Sequence, residues 1–309
     1  MKQVYFIVNR QAKNGQCRKI WGKVEKQLKK ENVSYHAFYT EYSGHATKLV
    51  ESIVKEIGET PCLIIGIGGD GTIHEIVNGS VGKENVSIAF IPGGSGNDYA
   101  RGFHIPKEIK AALNLIFDQP FVKKIDVGKV HNREGKDIYF VNSMGAGFDA
   151  AICEEANQSK LKAKLNLFSL GSLAYVTILI KKLFQHICVD MVLSIDGLEY
   201  EFRNVWFITV SNQVYYGGGM KIAPDANPTD GLLNITVVHN LSKWKLLFVF
   251  ITVFWGGHRK FKEVNTYTGR NVSIQSDHPF PIHADGEVIG TTPVQVQVCE
   301  KSLTIIAGA

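Results

Sequence analysis

Residues 62–79 read CLIIGIGGDGTIHEIVNG, which predicts a strand, a glycine-rich turn and a helix. The apolar run Leu63–Ile67 has the length of a buried strand. The turn contains Gly66, Gly68, Gly69 and Gly71. Glycine backbones can take a positive φ and bring their amides close to a ligand. We predict that Thr72 caps a helix that runs to about Asn78 and is closed by Gly79. Exposed amides at such a helix N-terminus form a phosphate site.

Asp70 lies inside this turn and gives it a second chemical property. A carboxylate beside a phosphate is repulsive unless a metal ion lies close to both, so the turn predicts a nucleotide site that holds Mg²⁺. The next predicted strand, Val86–Ile91, ends in PGGSGND at 92–98, a second glycine turn with its own carboxylate, Asp98. Because ligands bind at the carboxyl ends of parallel strands, we expect the two turns to form the walls of one nucleotide cleft.

Other nucleotide motifs fit less well. Gly66, Gly68 and Gly71 match the dinucleotide fingerprint G-x-G-x-x-G. That fingerprint needs an acidic residue about 20 positions later, at the end of the next strand, where this chain has its second glycine turn. The P-loop and the protein-kinase motifs are absent from the sequence. The dehydrogenase interpretation is therefore disfavoured.

Length and composition indicate an ordinary globular protein. A chain of 309 residues suits two domains better than one. The net charge of +5 fits attraction to an anionic nucleotide or membrane surface, but not a nucleic-acid protein with a dense basic stripe. The five cysteines are scattered and lack metal spacing, which predicts reduced thiols and a cytoplasmic protein. The longest apolar run, Leu246–Trp255, is shorter than the about 20 residues that cross a bilayer.

The secondary-structure pattern changes near Ile125. Before it, strands alternate with helices, which predicts a doubly wound α/β nucleotide-binding domain over residues 1–125. After it, many short strands predict a mostly antiparallel β-sandwich over residues 126–309, with the last strand packing back on the first domain. Two helical segments, Lys160–Leu183 and Lys243–Trp255, either cover the sandwich or lie on a membrane. A β-rich domain also has strand edges, which leaves a homodimer open.

Five motifs in order carry a resemblance to a known family. They are GGDGTIHEIVNG at 68–79, PGGSGNDYAR at 92–101, NSMGAGFDA at 142–150, GGGMKIAPDANPTDGLL at 217–233 and HADGE at 283–287. In these residues the chain resembles the bacterial diacylglycerol kinase family, which includes related lipid kinases and sphingosine kinases. The resemblance covers most of the chain and implies an α/β nucleotide domain followed by a β-rich lipid domain.

The resemblance also assigns residues. The nucleotide-binding set is Asn9, Thr40, Gly68, Gly69, Asp70, Gly71, Thr72, Glu75, Ser95, Asn97 and Asp98. Asp126 matches an aspartate of the family's magnesium–water network. Asn227, Asp230 and Leu232 match a structural metal site built from backbone carbonyls and one carboxylate, which Mg²⁺ or Ca²⁺ would accept. The first loop, Asn9–Gln16, is a residue longer than the family's pattern and has Gln16 where a basic residue is usual.

The acceptor chemistry is assigned to the last motif. The resemblance makes Asp285 the general base and Glu287 its supporting carboxylate. Being two apart, they share one face if the segment is extended. Spacing alone favours another interpretation, because Asp-Gly between apolar residues is a hairpin-turn signal, and Asp196-Gly197 forms a very similar turn.

These residues lead us to expect an ATP- and Mg²⁺-dependent lipid kinase. Its expected substrate is diacylglycerol, phosphorylated to phosphatidic acid at the inner membrane surface by a cytoplasmic protein that is peripheral to the membrane. Another hydroxyl lipid, such as a sphingoid base, monoacylglycerol or undecaprenol, would need the same polar groups. NAD kinase, which also carries a GGDGT loop, and a non-catalytic nucleotide-binding regulator are the remaining alternatives.

Overall fold

The computed structural model describes residues 3–118, 120–131, 135–158 and 180–308. The chain folds into two compact units. Residues 1–127 and 300–309 form the first, here called the N-unit, and residues 128–299 form the second, the C-unit. Two strands, Phe121–His131 and Val294–Ala307, contribute residues to both units.

The elements follow one another along the chain. The strands are β1 (Gln3–Val8), β2 (His36–Tyr39), β3 (Cys62–Gly68), β4 (Val86–Pro92), β5 (Phe121–His131), β6 (Asp137–Phe140), β7 (Ser143–Gly147), β8 (Val189–Ile195), β9 (Leu198–Ser211), β10 (Tyr215–Tyr216), β11 (Met220–Lys221), β12 (Leu233–His239), β13 (Val264–Gly269), β14 (Asn271–Ser276), β15 (Pro281–Ala284), β16 (Glu287–Thr291) and β17 (Val294–Ala307). The helices are α1 (Gln16–Lys30), α2 (His45–Ile57), α3 (Asp70–Ser80), α4 (Asp98–Gly102), α5 (Ile109–Phe117), α6 (Phe148–Gln158) and α7 (Lys243–Thr252).

The N-unit is built on a parallel sheet. Strand β1 lies between β2 and β3, β4 pairs with β3, and the end of β17 pairs with β4, all in parallel. Every residue of β3 and β4 is buried. Central strands of a parallel sheet are covered on both faces, which explains why both sequences are almost wholly apolar.

Helices cover both faces of this sheet. Trp21 of α1 and Leu113 of α5 share a core with Ile65 of β3. On the other side of β3, a side chain at Gly66 would collide with Ile76 of α3. Since neighbouring residues of a strand point to opposite faces, α3 lies across the sheet from α1 and α5. This arrangement confirms the predicted doubly wound fold.

The strand register brings four loops to one edge of the sheet. Val8 is level with Tyr39 and Ile67, and Ile67 is level with Ile91. The loops after β1, β2, β3 and β4 therefore leave the sheet at the same level. In doubly wound folds this edge, at the carboxyl ends of the strands, is where ligands bind.

The C-unit is a mostly antiparallel β-sandwich, as predicted. Its strands are ordered β16-β15-β7-β9-β8-β14-β17, and β12 pairs with β9 and β13. The long strand β9 changes partners along its length, pairing with β8 from Leu198 to Val205 and with β7 and β12 towards Ser211. Its inward residues Ile208 and Val210 lie in the same core as Leu193 of β8.

The ends of α3 correct one prediction. The helix begins at Asp70 with Gly69 as its N-cap and no side-chain cap, so Thr72 is inside the first turn and caps nothing. Gly79 lies within the helix instead of closing it. A Cβ at Gly79 would lie 2.7 Å from the Cβ of Val50 on α2. The close packing of two helices, and not a helix end, therefore requires this glycine.

Of the two helical segments predicted in the second half of the chain, one is confirmed and most of the other lies outside the described residues. Lys243–Trp255 is confirmed as α7 with a short 3-10 turn, Val253–Trp255, at its end. Most of Lys160–Leu183 falls on residues 159–179, outside the described residues, and residues 180–185 are helical. Within the described part of the chain, no helix combines the length and the apolar character needed to cross a membrane.

Replacing Gly79 with alanine tests the α2–α3 contact. We expect Gly79→Ala to lower the free energy of unfolding by up to about 2 kcal/mol, because overpacking costs about 1–3 kcal/mol and the gain in helix propensity offsets about 1 kcal/mol of it. The matched control is Gly22→Ala in α1, where no heavy atom lies within 4 Å of the added Cβ. Urea denaturation followed by circular dichroism measures both. Equal stability of the two variants would contradict the packing argument.

Candidate active site

The two glycine turns of the N-unit meet through bare backbone. A Cβ on Gly94 would collide with the Cα of Gly69, and a Cβ on Gly93 would collide with the Sγ of Cys17. The amide of Gly93 donates a hydrogen bond to the carbonyl of Gly68 at 2.6 Å. Burial raises the pKa of Cys17 to about 11. This thiol is therefore a neutral packing group behind the turns and not a nucleophile.

Asn97 holds the second turn in shape. Its Oδ1 accepts the amide of Gly94 and its Nδ2 donates to the carbonyl of Gly94, both at 3.0 Å. Its backbone is left-handed, with φ 54°. Asparagine tolerates this region better than most residues. The sequence predicts that Asn97 binds nucleotide. In the structure its side chain instead binds the backbone of the turn that is predicted to hold the nucleotide.

The two predicted carboxylates converge beside Gly96. A Cβ on Gly96 would lie 2.8 Å from Oδ2 of Asp70 and 3.9 Å from Oδ2 of Asp98. The Oδ1 of Asp70 accepts the amide of Tyr99 at 3.2 Å, and Asp98 forms an ion pair with Arg101. Two carboxylates plus phosphate oxygens are the ligands by which Mg²⁺ is usually held. The donor set at Gly96 fits that ion.

The start of α3 adjoins these carboxylates and is a candidate anion site. The helix has no side-chain cap at Gly69, and the positive end of its dipole favours an anion there. Thr72 is buried there, and its Oγ1 accepts a hydrogen bond from Nδ2 of Asn9 at 3.2 Å. The positive helix end would attract the phosphates of a nucleotide–metal complex, and the two carboxylates would attract its metal ion.

The first loop joins this edge through Asn9. Its Oδ1 accepts the amides of Gln11 and Ala12, each at 3.1 Å, which folds the loop back on itself. The guanidinium of Arg10 lies 3.4 Å from the centre of the Tyr39 ring. Thr40 follows Tyr39 and donates its amide to the carbonyl of Val8. Asn9 and Thr40 therefore lie at the predicted edge, as does the exposed Ser95.

Glu75 was predicted in the nucleotide-binding set, and its carboxylate has a different task. Its Oε1 accepts the amide of Gly44 at 2.8 Å and its Oε2 accepts the amide of Ala46 at 2.9 Å. Both oxygens thus cap the N-terminus of α2, where a negative charge is favourable. These contacts favour a helix-capping role for Glu75, and its role in nucleotide binding stays a prediction.

Asp126 is buried inside β5 and not in a turn at a strand end. Its Oδ1 accepts the amide of Lys301 at 2.7 Å, which ties β5 to the last strand of the N-unit. This contact gives the carboxylate a structural role. The role in a magnesium–water network stays a prediction.

In the C-unit, Asp285 and Gly286 form the two-residue turn between β15 and β16. Their φ values are 49° and 91°, and Asp196 and Gly197 have almost the same pair, 49° and 89°. The hairpin interpretation from spacing is thus confirmed at both sites. The Asp285 carboxylate accepts the amides of Val141, Asn142 and Ser143 at 2.8–3.1 Å. It is held on the backbone next to the NSMGAGFDA motif.

The turn places Glu287 differently from the expectation. Asp285 and Glu287 would share a face only if the segment were extended, and the left-handed Asp285 and Gly286 break that geometry. Glu287 is the first residue of β16 and is exposed, whereas Asp285 is half-buried. Asp285 thus lies in the turn itself, and Glu287 lies in the strand that follows it.

A buried pair that sequence reasoning left unassigned supports this turn. Nδ1 of His283 accepts the amide of Gly286 at 3.2 Å, so the ring proton lies on Nε2, which faces Oδ2 of Asp149 at 3.3 Å. Both side chains are buried, and Tyr216 stacks on the imidazole. His283 lies in the motif HADGE and Asp149 lies in NSMGAGFDA, but the spacing of the two motifs does not predict that these side chains meet.

The predicted structural metal residues form one short turn. The carbonyl of Asn227 accepts the amide of Thr229 at 2.8 Å, and Oδ1 of Asp230 accepts the amide of Leu232 at 2.9 Å. Oxygen donors of this kind suit Mg²⁺ or Ca²⁺. Among the described residues there is no group of three histidine, cysteine or acidic side chains that could hold a metal, so a site here would depend on carbonyl ligands.

Adding a methyl group between the two glycine turns tests whether they bind nucleotide. We expect Gly94→Ala to weaken the binding of Mg·ATP by about tenfold or more, because the added methyl group collides with Gly69 and displaces the turns that are predicted to bind the phosphates. Isothermal titration calorimetry measures the affinity. Gly22→Ala serves as the control for a general effect of alanine, and wild-type affinity in Gly94→Ala would contradict the assignment.

Glu75→Gln separates a helix cap from a nucleotide ligand. The side-chain NH₂ of glutamine is a donor, and it would face one of the two backbone N–H groups that donate to the Glu75 carboxylate. Two donors facing each other cannot form a hydrogen bond. We expect a loss of about 1–2 kcal/mol in the free energy of unfolding and an unchanged affinity for Mg·ATP. Thermal denaturation and calorimetry measure the two quantities. Weaker nucleotide binding at unchanged stability would restore the original prediction.

Comparison with known proteins agrees with this geometry. The profile of the Diacylglycerol kinase catalytic domain matches residues 3–130, and that of the YegS C-terminal NAD kinase beta sandwich-like domain matches residues 142–307. A crystal structure of a "putative diacylglycerol kinase" from Bacillus anthracis str. Sterne aligns with a TM-score of 0.77 at 24% identity, over 99% of this chain and 98% of that one. At this identity the alignment supports the fold alone.

Two relatives add sequence evidence. The "Putative lipid kinase YtlR" of Bacillus subtilis (strain 168) is 32% identical, over 99% of this chain and 99% of that protein. A diacylglycerol kinase of Staphylococcus aureus (strain JH9) is 29% identical, over 91% of this chain and 84% of that protein. With both profiles matched in order and a full-length relative above 30% identity, this chain belongs to the diacylglycerol kinase family and is a lipid kinase.

Proposed function

We propose that this lipid kinase transfers the γ-phosphate of ATP to the hydroxyl of diacylglycerol and produces phosphatidic acid, with Mg²⁺ as its metal. The observation that carries the proposal is the convergence of Asp70 and Asp98 beside Gly96, next to the uncapped start of α3. An anion site and a cation site in contact fit a nucleoside triphosphate with its metal. Family membership supports ATP as the phosphate donor.

In the proposed reaction, the lipid hydroxyl oxygen bonds to the γ-phosphorus. The bond from that phosphorus to the bridging oxygen breaks, ADP leaves, and the hydroxyl proton passes to Asp285. Such transfers have a loose transition state, so positioning and charge stabilisation contribute most of the catalysis. Bound Mg²⁺ would supply positive charge to the phosphate oxygens.

The contacts of Asp285 suit a residue that orients the hydroxyl. Its carboxylate accepts the amides of Val141, Asn142 and Ser143, which hold it in one orientation. The hydroxyl hydrogen bond is proposed at this oriented carboxylate. The exposed Glu287 is proposed as a second carboxylate that acts only when substrate is bound. Through Gly286, the buried pair of His283 and Asp149 would position the turn.

The choice of diacylglycerol rests on relatives. The Staphylococcus aureus and Mycobacterium tuberculosis proteins that this chain resembles are named diacylglycerol kinases. Another hydroxyl lipid would use the same polar groups, and NAD is the soluble alternative. We propose that the protein meets its substrate at the inner membrane surface, as a peripheral protein of the cytoplasm.

Phosphate transfer from radiolabelled ATP to lipids in detergent micelles tests the function. The panel contains diacylglycerol, monoacylglycerol, sphingosine, undecaprenol and NAD, each with and without Mg²⁺. We expect label in phosphatidic acid and none without Mg²⁺. Label in another lipid would change the substrate, label in NAD would overturn the lipid assignment, and no transfer at all would favour a nucleotide-binding regulator.

Asp285→Asn alone cannot test the base, because the asparagine amide would also oppose a backbone amide and disturb the turn. Asp196→Asn is a matched control, since Asp196 occupies the same kind of turn and accepts the amides of Arg270 and Asn271. We expect both variants to lose about 1–3 kcal/mol of stability, and only Asp285→Asn to lose kcat, by about 100-fold or more. A similar loss of kcat in both would assign Asp285 a structural role.

A further inference from the structure

One face of α7 and the turn after it carries large apolar side chains into solvent. Trp244, Phe248, Ile251 and Trp255 are 57–72% exposed. Their spacing of four, three and four residues places them along a single stripe of the helix. Isolated exposed apolar residues are normal, but a row of large ones including two tryptophans marks an interaction site.

The opposite face of α7 shows that the helix is firmly placed. Leu246 and Val249 are buried in a cluster with Trp206 of β9, and Ser242 caps the start of the helix. Lys245 forms an ion pair with Glu263. The helix is thus anchored in the C-unit by one face, and the exposed stripe is the other face of an ordered element.

The stripe continues onto the segment that precedes β8. The ring of Phe184 lies 6.0 Å from that of Trp244, and Nζ of Lys243 donates to the carbonyl of Phe184 at 2.7 Å. Phe184 and Ile187 are 52% and 79% exposed. We call this surface the aromatic patch, defined as Phe184, Ile187, Trp244, Phe248, Ile251, Phe254 and Trp255.

Basic side chains share a segment with the aromatic patch. Residues 243–262 contain five basic residues and no acidic residue. Lys243 contacts Phe184, with its Nζ 5.6 Å from the centre of the ring, and Lys260 and Lys262 are exposed at the end of the segment. Arg259 and Lys245 have acidic partners, Asp225 and Glu263, on neighbouring segments. The segment therefore combines exposed apolar side chains with an excess of positive charge.

We propose that the aromatic patch docks the protein on an anionic lipid bilayer, with its aromatic side chains in the headgroup region and the lysines of residues 243–262 on the lipid phosphates. Tryptophan and phenylalanine on one face with lysine and arginine beside them is the composition of interfacial helices. The inference rests on the proposed function, because an enzyme that phosphorylates a membrane lipid must reach the bilayer. It assigns that contact to one surface.

Charge favours a bilayer over a second copy of this chain. A two-fold dimer through the aromatic patch would bring two copies of the same positively charged segment to one interface, and like charges oppose such an interface. An anionic bilayer offers the complementary charge to this segment and an apolar region to its exposed apolar side chains. Dimerisation through the patch is an outcome that the experiment distinguishes.

Sedimentation with vesicles of phosphatidylcholine, with and without phosphatidylglycerol, tests the docking. We expect the wild-type protein to bind the anionic vesicles. Phe248→Glu and Trp255→Gln should each lower the affinity for these vesicles by about tenfold or more. Phe121→Glu is the matched control, because Phe121 is also about half exposed but lies on β5, in the N-unit. Lys260→Glu should weaken binding about fivefold, with an effect that added salt reduces.

A second readout separates docking from catalysis. Phosphorylation of a short-chain diacylglycerol, dissolved as a monomer, should be unchanged in Phe248→Glu and Trp255→Gln, and circular dichroism should show the wild-type fold. Undiminished vesicle binding by both variants, or no vesicle binding by the wild-type protein, would overturn the docking proposal. Loss of a dimer on ultracentrifugation without vesicle binding would assign the patch to a second copy. Vesicle binding without any lipid phosphorylation would reject the proposed function and leave the docking intact.

Discussion

The contact between Gly69 and Gly94 is the constraint on which the N-unit's site depends. Side chains at either position would separate the ends of β3 and β4. With bare backbone there, the start of α3 comes beside the second turn, and Asp70 and Asp98 reach the same place at Gly96. The aligned register of the parallel strands brings the loops of β1 and β2 to this edge as well. Close packing of the chain against itself thus brings together the groups proposed to bind a phosphate and a cation.

The C-unit shows how one local sequence serves two purposes. Asp196-Gly197 and Asp285-Gly286 have nearly the same backbone geometry, and both carboxylates accept backbone amides. Only the second turn lies beside the NSMGAGFDA segment and is supported by the buried histidine–aspartate pair. Asp285 is a candidate catalytic residue and Asp196 is not, because different strands lie next to the two turns. That adjacency is a property of the sandwich and not of the dipeptide.

Helix α7 combines two roles that the sequence left as alternatives. Its apolar residues occur all round the helix, which is typical of a helix buried on every side. The structure buries Leu246 and Val249 against the sandwich and leaves Trp244 and Phe248 in solvent. The same segment therefore contributes to the core with one face and forms the proposed docking surface with the other. The basic residues that flank it fit the second role and are not needed for the first.

The sequence by itself determined the fold class, the positions of most strands and helices, and the glycine turns with Asp70 and Asp98. Apolar periodicity and glycine geometry are local properties, and few arrangements satisfy them. The tertiary structure alone decided that Gly79 packs against α2, that Glu75 caps α2 from 29 and 31 residues away, and that His283 meets Asp149 across 134 residues. Such contacts depend on which elements become neighbours, and that is set by the packing of the whole unit, to which local propensity contributes little.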